Sequence, residues 1–337
     1  MTTVKSAFNI TAGNIAPAVA RLAPRKLVLC YHRFSHAKHP DPFHNPVTAT
    51  PVEELEKQIL WLKSFCVFKT LDDIVSAEPV GKKWEIAITI DDGYQDVIDL
   101  GLPLFEKHQI PVSWFVTTDP VINPDSIPWW DLSSLVASLT TGQMHFSING
   151  KDKQVDLSNY DDSRWVRDTL RELFLFNSTE KADEFKQQLI GELSKIESLP
   201  QNSFARPANL KEAAASSVIS IGPHTCSHPN LARLSPEEQT REIQSSITTL
   251  KEMGIQPINW FSYPFGKEWA RSESTLDIAR RLGLRGCVTT GTGYVYPDTP
   301  SYLVPRISVD GRWDIQAFKA RVVFGPLTDT LKSLVSR

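Results

Sequence analysis

Cysteine, methionine and histidine are all scarce: of 337 residues, four are Cys, three Met and eight His. The cysteines (Cys30, Cys66, Cys226, Cys287) lie far apart and never form Cys-x-x-Cys. In a chain this long they read as reduced thiols, three of them inside apolar runs expected to be core strands. No run of like charge stands out. A net charge of −3 and an isoelectric point near 6.3 give no electrostatic footprint for nucleic acid or an anionic membrane. No apolar run approaches the roughly 20 residues needed to span a bilayer. The first residues lack a continuous apolar stretch, being interrupted by Asn9, Thr11, Asn14 and Pro17, so a secretory leader is not expected. A soluble cytoplasmic protein is the expectation. Internal repeats and low-complexity tracts are absent.

What is there is a core. Hydrophobic residues make up 41% of the chain, and its length permits one barrel-sized domain or two ordinary ones. Short β-branched apolar runs at 26–32, 65–70, 84–90, 112–117, 218–222, 258–264, 286–290 and 302–309 read as buried strands. Helix signals separate several of them. "TPVEELEKQILWLKS" offers Thr50 as N-cap and Pro51 at the first helical position. "SPEEQTREIQSSITTLKEMG" repeats the device with Ser235, Pro236 and Glu238, and stops at Gly254. Buried strands alternating with amphipathic helices predict an α/β fold with a parallel sheet, and about eight strand candidates favour a (β/α) barrel. Residues 1–25 form an N-terminal segment and 26–337 the barrel. Residues 119–215 hold few strand-like runs and read as a mainly helical insertion between two barrel strands.

Two stretches carry chemistry. In "IGPHTCSHPN" (221–230), Pro223 and Pro229 flank His224 and His228, so the pair is not an i, i+4 helical face. Two imidazoles need a third ligand. The run "WEIAITI" leads directly into "DDGYQD", which puts Asp91 and Asp92 at the C-terminal end of a buried strand, the edge where parallel α/β folds collect active sites. Helix capping explains one such Asp; two in succession are less easily explained. The histidine pair also follows a strand end, so both motifs can share one rim. Two imidazoles and one carboxylate make a three-ligand metal site with a position open for water, and the remaining Asp can act as general base.

"ITIDDGYQD", "IGPHTCSHPNL" and "WFSYPFG" resemble the first three motifs of the polysaccharide deacetylases of the NodB-homology type (carbohydrate esterase family 4). "LCYHRF" and "WWD" resemble a branch of the same family. The resemblance covers roughly residues 26–118 and 216–310. It implies a distorted (β/α) barrel of the NodB-homology type that removes acetyl groups from N-acetylated amino sugars, into which the mainly helical insertion at 119–215 is set. By the same resemblance Asp91 is the catalytic base. Asp92, His224 and His228 bind Zn²⁺ or another divalent transition metal, and the backbone N–H of Phe265 steadies the oxyanion.

The chain departs from the family pattern in three places. Ser262 stands where an Arg is usual, which removes a partner of the base; Arg306 in "VPRIS" is the candidate replacement. Phe265 stands where a Tyr is usual, a harmless change if the donor is a backbone group. No histidine follows His228, so the usual C-terminal acid is missing. His32, ending the first candidate strand, takes its place in this reading, because closing a barrel makes the first and last strands neighbours. Cys226 falls off the ligand face by alternation. Trp129 and Trp130 read either as sugar-stacking groups or as core anchors. His36, His39 and His44 read as a solvated loop near the site entrance. The expected function is metal-dependent N-deacetylation of an amino sugar, as a nucleotide-linked or lipid-linked precursor in surface-glycan biosynthesis. Alternatives are an O-deacetylase or deformylase on the same scaffold, or a non-catalytic carbohydrate-binding protein.

Overall fold

The computed structural model describes residues 13–16, 18, 25–36, 41–76, 83–148, 150–177 and 179–335, with backbone alone at 179 and from 327 on. Most of the N-terminal segment 1–25 thus lies outside the described residues. The first strands are β1 (Lys26–Tyr31), β2 (Arg33–Ser35), β3 (Ala49–Pro51), β4 (Cys66–Phe68), β5 (Trp84–Ile90) and β6 (Val112–Val116). There follow β7 (Gln143–Ile148), β8 (Lys151–Asp156), β9 (Ile219–Pro223), β10 (Trp260–Ser262), β11 (Gly286–Val288) and β12 (Ile307–Ser308).

The central sheet is parallel, in the order β12-β1-β5-β6-β9. β4 lies on the same edge of β5 as β6, pairing its first half while β6 pairs its second. All seven residues of β5 are buried, as expected for a strand covered on both faces. β10 and β11 form a separate parallel pair. The wall bends round to meet them through single contacts: the Ile258 N–H donates to the Ile221 carbonyl of β9, and Val288 bridges Val304 just ahead of β12. The result is a distorted barrel in which β1 and β12 are neighbours, with their register set by Leu29 opposite Ile307.

The helix Pro236–Glu252 opens on the capping box of Ser235 and Glu238, and Gly254 follows its end at φ +79°. Three local expectations are corrected. Thr50 is not an N-cap: it pairs with Phe34 in the β2–β3 ladder, its hydroxyl has no partner, and the helix Val52–Lys63 starts from Pro51. The single strand expected over 302–309 is a 3₁₀ turn (Ser301–Leu303) followed by the two-residue β12; Pro305, which has no N–H to donate, stands between them. The stretch 119–215 also holds an antiparallel hairpin, β7–β8.

That stretch connects β6 to β9, which pair directly. Besides the hairpin it carries helices Trp129–Ser138, Tyr160–Phe176 and Thr179–Ile196. Their apolar faces meet in a cluster of their own, with Leu135, Phe146, Leu170 and Phe185 at its centre. Among the described residues no helix is long and apolar enough to cross a membrane.

Candidate active site

The rim where the parallel strands end is built by four loops. His32 follows β1, Asp91 and Asp92 follow β5, His224 follows β9, and Ser262 is the last residue of β10. The turn after β5 needs Gly93, which sits at φ +116° with a virtual Cβ only 3.0 Å from Val116 Cγ1. Four non-glycine residues of these loops also hold left-handed backbone: Asp92 (φ 79°), Thr225 (67°), His228 (58°) and Phe265 (61°). Such conformations cost free energy and gather at functional sites, where surrounding bonds hold them. Here the Asp92 carbonyl accepts from the Thr117 N–H, and the Thr225 hydroxyl accepts from the His228 N–H.

Asp92, His224 and His228, all buried, present ligand atoms within 4.8 Å of one another. Asp92 Oδ1 is 3.6 Å from His224 Nε2 and 3.9 Å from His228 Nε2. Those separations are too long for hydrogen bonds and suit atoms that share an ion instead. His224 Nδ1 lies 2.7 Å from the Ser262 carbonyl, to which it donates, so Nε2 carries the free lone pair toward Asp92. Burial and the neighbouring His224 pull the His228 pKa down to about 3, which keeps that imidazole neutral as a ligand must be. For His224, burial works against charge, yet Asp91 and Asp92 outweigh it and raise its pKa. The donor set fits a divalent transition metal.

The loop bearing both histidines is fastened from behind by Glu242 on the helix Pro236–Glu252. Its carboxylate accepts from the N–H groups of Cys226 and Ser227 and from the Ser227 hydroxyl. Cys226 Sγ meets the Glu242 carbonyl and stays out of the ligand set. Glu242→Ala is expected to weaken metal affinity about 10–100-fold, the usual cost of losing a group that orients ligands. A metal-competition titration checks this.

Asp91 sits beside the ligands in a different setting. Arg306, fully buried, grips it with two bonds, Nη1 to Oδ1 at 2.8 Å and Nη2 to Oδ2 at 2.7 Å. The Ser262 hydroxyl donates to Oδ2 at 3.0 Å, and Arg306 also donates to Ser262 Oγ, Thr89 Oγ1 and the Thr289 carbonyl. Burial alone would push the Asp91 carboxyl up; Arg306, helped by His224 and His32, holds it well below the usual carboxylate range. Cys30, His32 and Asp91 also cluster within 4.8 Å. That set does not suit a metal, because Arg306 already occupies Asp91 and burial keeps the Cys30 thiol protonated.

His32 lines the same cavity of about 220 Å³ as Asp91, Asp92, His224, His228 and Phe265, and its Nδ1 is buried without a partner. The Phe265 ring packs edge-on against His228 at 4.7 Å. Among the described residues nothing accepts from its N–H, while its carbonyl accepts from the Thr290 hydroxyl. The structure therefore gathers all seven residues singled out in the sequence, with Arg306 beneath the cavity floor.

The roof comes from the insertion. Trp130 lies edge-on to His228 at 4.7 Å, Trp129 stacks on Phe174, and Asp131 and Tyr94 complete the wall. Sequence reasoning missed Arg33, Tyr94 and Asp131, although each adjoins a motif it had noted: "YHRF", "DDGY" and "WWD". His36 and His44 line a neighbouring hollow of about 680 Å³, on the far side of Arg33. His39 lies outside the described residues.

Residues 172–287 match the family described as polysaccharide deacetylase. Over those residues, about a third of its length, the chain is similar to polysaccharide deacetylases. The matched segment holds His224, His228, Ser262 and Phe265; Asp91 and Asp92 lie upstream of it. YxkH of Bacillus subtilis (strain 168), a polysaccharide deacetylase by name, is 33% identical over 104 residues, which are 31% of this chain and 36% of that protein. The match thus spans about a third of the length of that relative. The Streptococcus pyogenes deacetylase PplD, solved in complex with acetate, superposes with a TM-score of 0.54 at 17% identity, over 88% of this chain and 97% of that one. A de-N-acetylase from Aggregatibacter actinomycetemcomitans gives 0.56 at 13% identity, over 88% and 98%. IcaB from Ammonifex degensii gives 0.52 at 19%, over 89% and 98%. At these identities the likeness establishes the fold.

Proposed function

We propose that the protein is a metal-dependent hydrolase that removes an N-acetyl group from an amino sugar of a glycan or glycan precursor. One observation carries the reading: a buried Asp-His-His ligand set stands beside a second carboxylate that an arginine keeps ionised, both opening on one cavity. The deacetylase segment and the names of the structural neighbours support the acetyl group as the one removed.

A divalent metal held by Asp92, His224 and His228 would supply Lewis acidity to the acetyl carbonyl and to water. The protein's own groups do the rest. Asp91 Oδ1 receives one protein hydrogen bond and so keeps room for the proton of the attacking water, whereas Oδ2 is taken up by Arg306 and Ser262. Held ionised by Arg306, Asp91 is unprotonated and able to take that proton, and it gives it up again readily. The free N–H of Phe265 receives the developing oxyanion. His32 gives a proton to the departing nitrogen. His32→Ala should keep metal and fold and lose at least ~10-fold in kcat, the low end of what general acid catalysis contributes. Turnover near wild type in that variant would take His32 out of the mechanism.

Acetate release from UDP-N-acetylglucosamine, a chitin tetrasaccharide and an O-acetylated xylan oligosaccharide tests the reading. Release from an N-acetyl probe with metal present is expected. Release from the O-acetyl probe alone would make the protein an O-deacetylase, and release from none of them, with metal bound, would favour a carbohydrate-binding role.

A further inference from the structure

Asp131 is buried to 2% exposure in the wall of the catalytic cavity, and only one of its two oxygens is spoken for. Oδ1 receives the Tyr94 hydroxyl at 2.8 Å; Oδ2 is buried with no partner. Unsatisfied buried carboxyl oxygens are costly and rare. The direction of the bonds around it can be worked out. The Trp130 indole can only donate, and it donates to Tyr94 Oη at 2.7 Å. Tyr94 therefore sends its own proton onward to Asp131 Oδ1. That leaves Oδ1 an acceptor, so any carboxyl proton on Asp131 belongs on Oδ2.

The charges nearby keep such a proton in place. Arg33 is the cation beside Asp131, but its guanidinium is committed elsewhere: Nε to Asp96 at 2.8 Å, Nη2 to Asp41, and Nη1 to the Phe43 carbonyl at 3.2 Å, with its face over the Tyr94 ring. Asp41 adds negative charge, while the charge of Asp92 is offset when a divalent ion is held there. Burial, opposed by Arg33 and Tyr94 and helped by Asp41, raises the Asp131 pKa.

We propose that Asp131 is a substrate-recognition residue that acts as a neutral carboxylic acid, donating a hydrogen bond from Oδ2 to a hydroxyl oxygen of the amino sugar. The inference rests on the sugar reading of the cavity. It assigns Asp131 to binding and not to the chemical step: the Trp130–Tyr94–Asp131 chain aligns one donor for a ligand that brings an acceptor. A cavity built to hydrogen-bond a substrate hydroxyl discriminates strongly against ligands lacking it.

Two variants and one spectrum test this. Asp131→Leu removes the donor and should raise KM for the chitin tetrasaccharide at least tenfold with kcat within about twofold. Asp131→Asn offers an N–H where Oδ2 stood while its oxygen still accepts from Tyr94, and should restore most of the affinity. In the wild type KM should climb with rising pH as Asp131 loses its proton, since the deprotonated acid has nothing to donate. In Asp131→Asn that climb should vanish. Thermal melts serve to check that both variants are folded. Wild type minus Asp131→Asn infrared difference spectra should show a protonated-carboxyl band at pH 6. Absence of that band, an Asn variant as impaired as Leu, or a Leu variant that loses kcat with KM unchanged would each overturn the proposal. A wild type that binds metal yet releases no acetate from any N-acetyl probe would count against the deacetylase reading instead, and the infrared band would still decide where the proton sits.

Discussion

Asp91→Asn is expected to lower kcat by ~10²–10⁴ while the protein still binds about one metal ion per chain. The factor is what positioned proton transfer typically supplies, and an amide cannot take the water's proton. Metal should stay because Asp92, His224 and His228 are untouched. Asp92→Asn should do the reverse, weakening metal binding so that excess metal partly restores turnover. Steady-state kinetics with elemental analysis on both variants separates the roles. Equal loss of metal from both would refute the division and point to a shared carboxylate site. Asp91→Asn also leaves Arg306 facing a neutral partner, so its kinetics belong well below its lowered melting temperature.

Replacing Arg306 by Met should cost about 3–5 kcal/mol of stability, because it leaves the buried Asp91 charge without its partner. Arg306 is fully buried and donates to five different groups or atoms around it, so little else can take over. The same change should be legible in the pH profile. With the guanidinium gone, burial is left as the largest influence on Asp91, and its pKa rises. The base must be ionised to work, so activity should fail at a higher pH on the acidic side than in the wild type. Arg306→Lys should recover charge without the paired bonds and lie between the two. Denaturant melts and kcat/KM against pH check both halves; an unchanged acidic limb in a destabilised Arg306→Met would mean that Asp91 is not the titrating base.

How much of this could be read beforehand depends on the kind of signal. The parallel strands were legible because burial on both faces writes continuous apolar runs, as in "WEIAITI", whose strand limits are those of β5. Asp91, Asp92, His224 and His228 were legible because loops after such strands share one rim. Arg306 was visible only as a gap to be filled, since nothing local in "VPRIS" says that its side chain runs beneath Asp91; that follows from the β1–β12 register. The hairpin β7–β8 was missed although Met144 and Phe146 alternate with exposed residues and the sequence reads Asn-Gly at 149–150, because the charged helices around it dominate that stretch. Asp131 was missed for a deeper reason. Its meaning lies in Tyr94 and Arg33, residues 37 and 98 positions away, and no spacing rule relates them.

That Asp92, His224 and His228 hold a metal on which catalysis depends is tested most directly by elemental analysis alongside acetate release. Wild-type protein purified without added chelator should contain about one divalent transition-metal ion per chain, lose acetate release when a chelator strips it, and regain both on adding Zn²⁺ or Co²⁺, while folded His228→Ala does neither. A wild type that holds no metal and gains no activity from either ion would contradict the account.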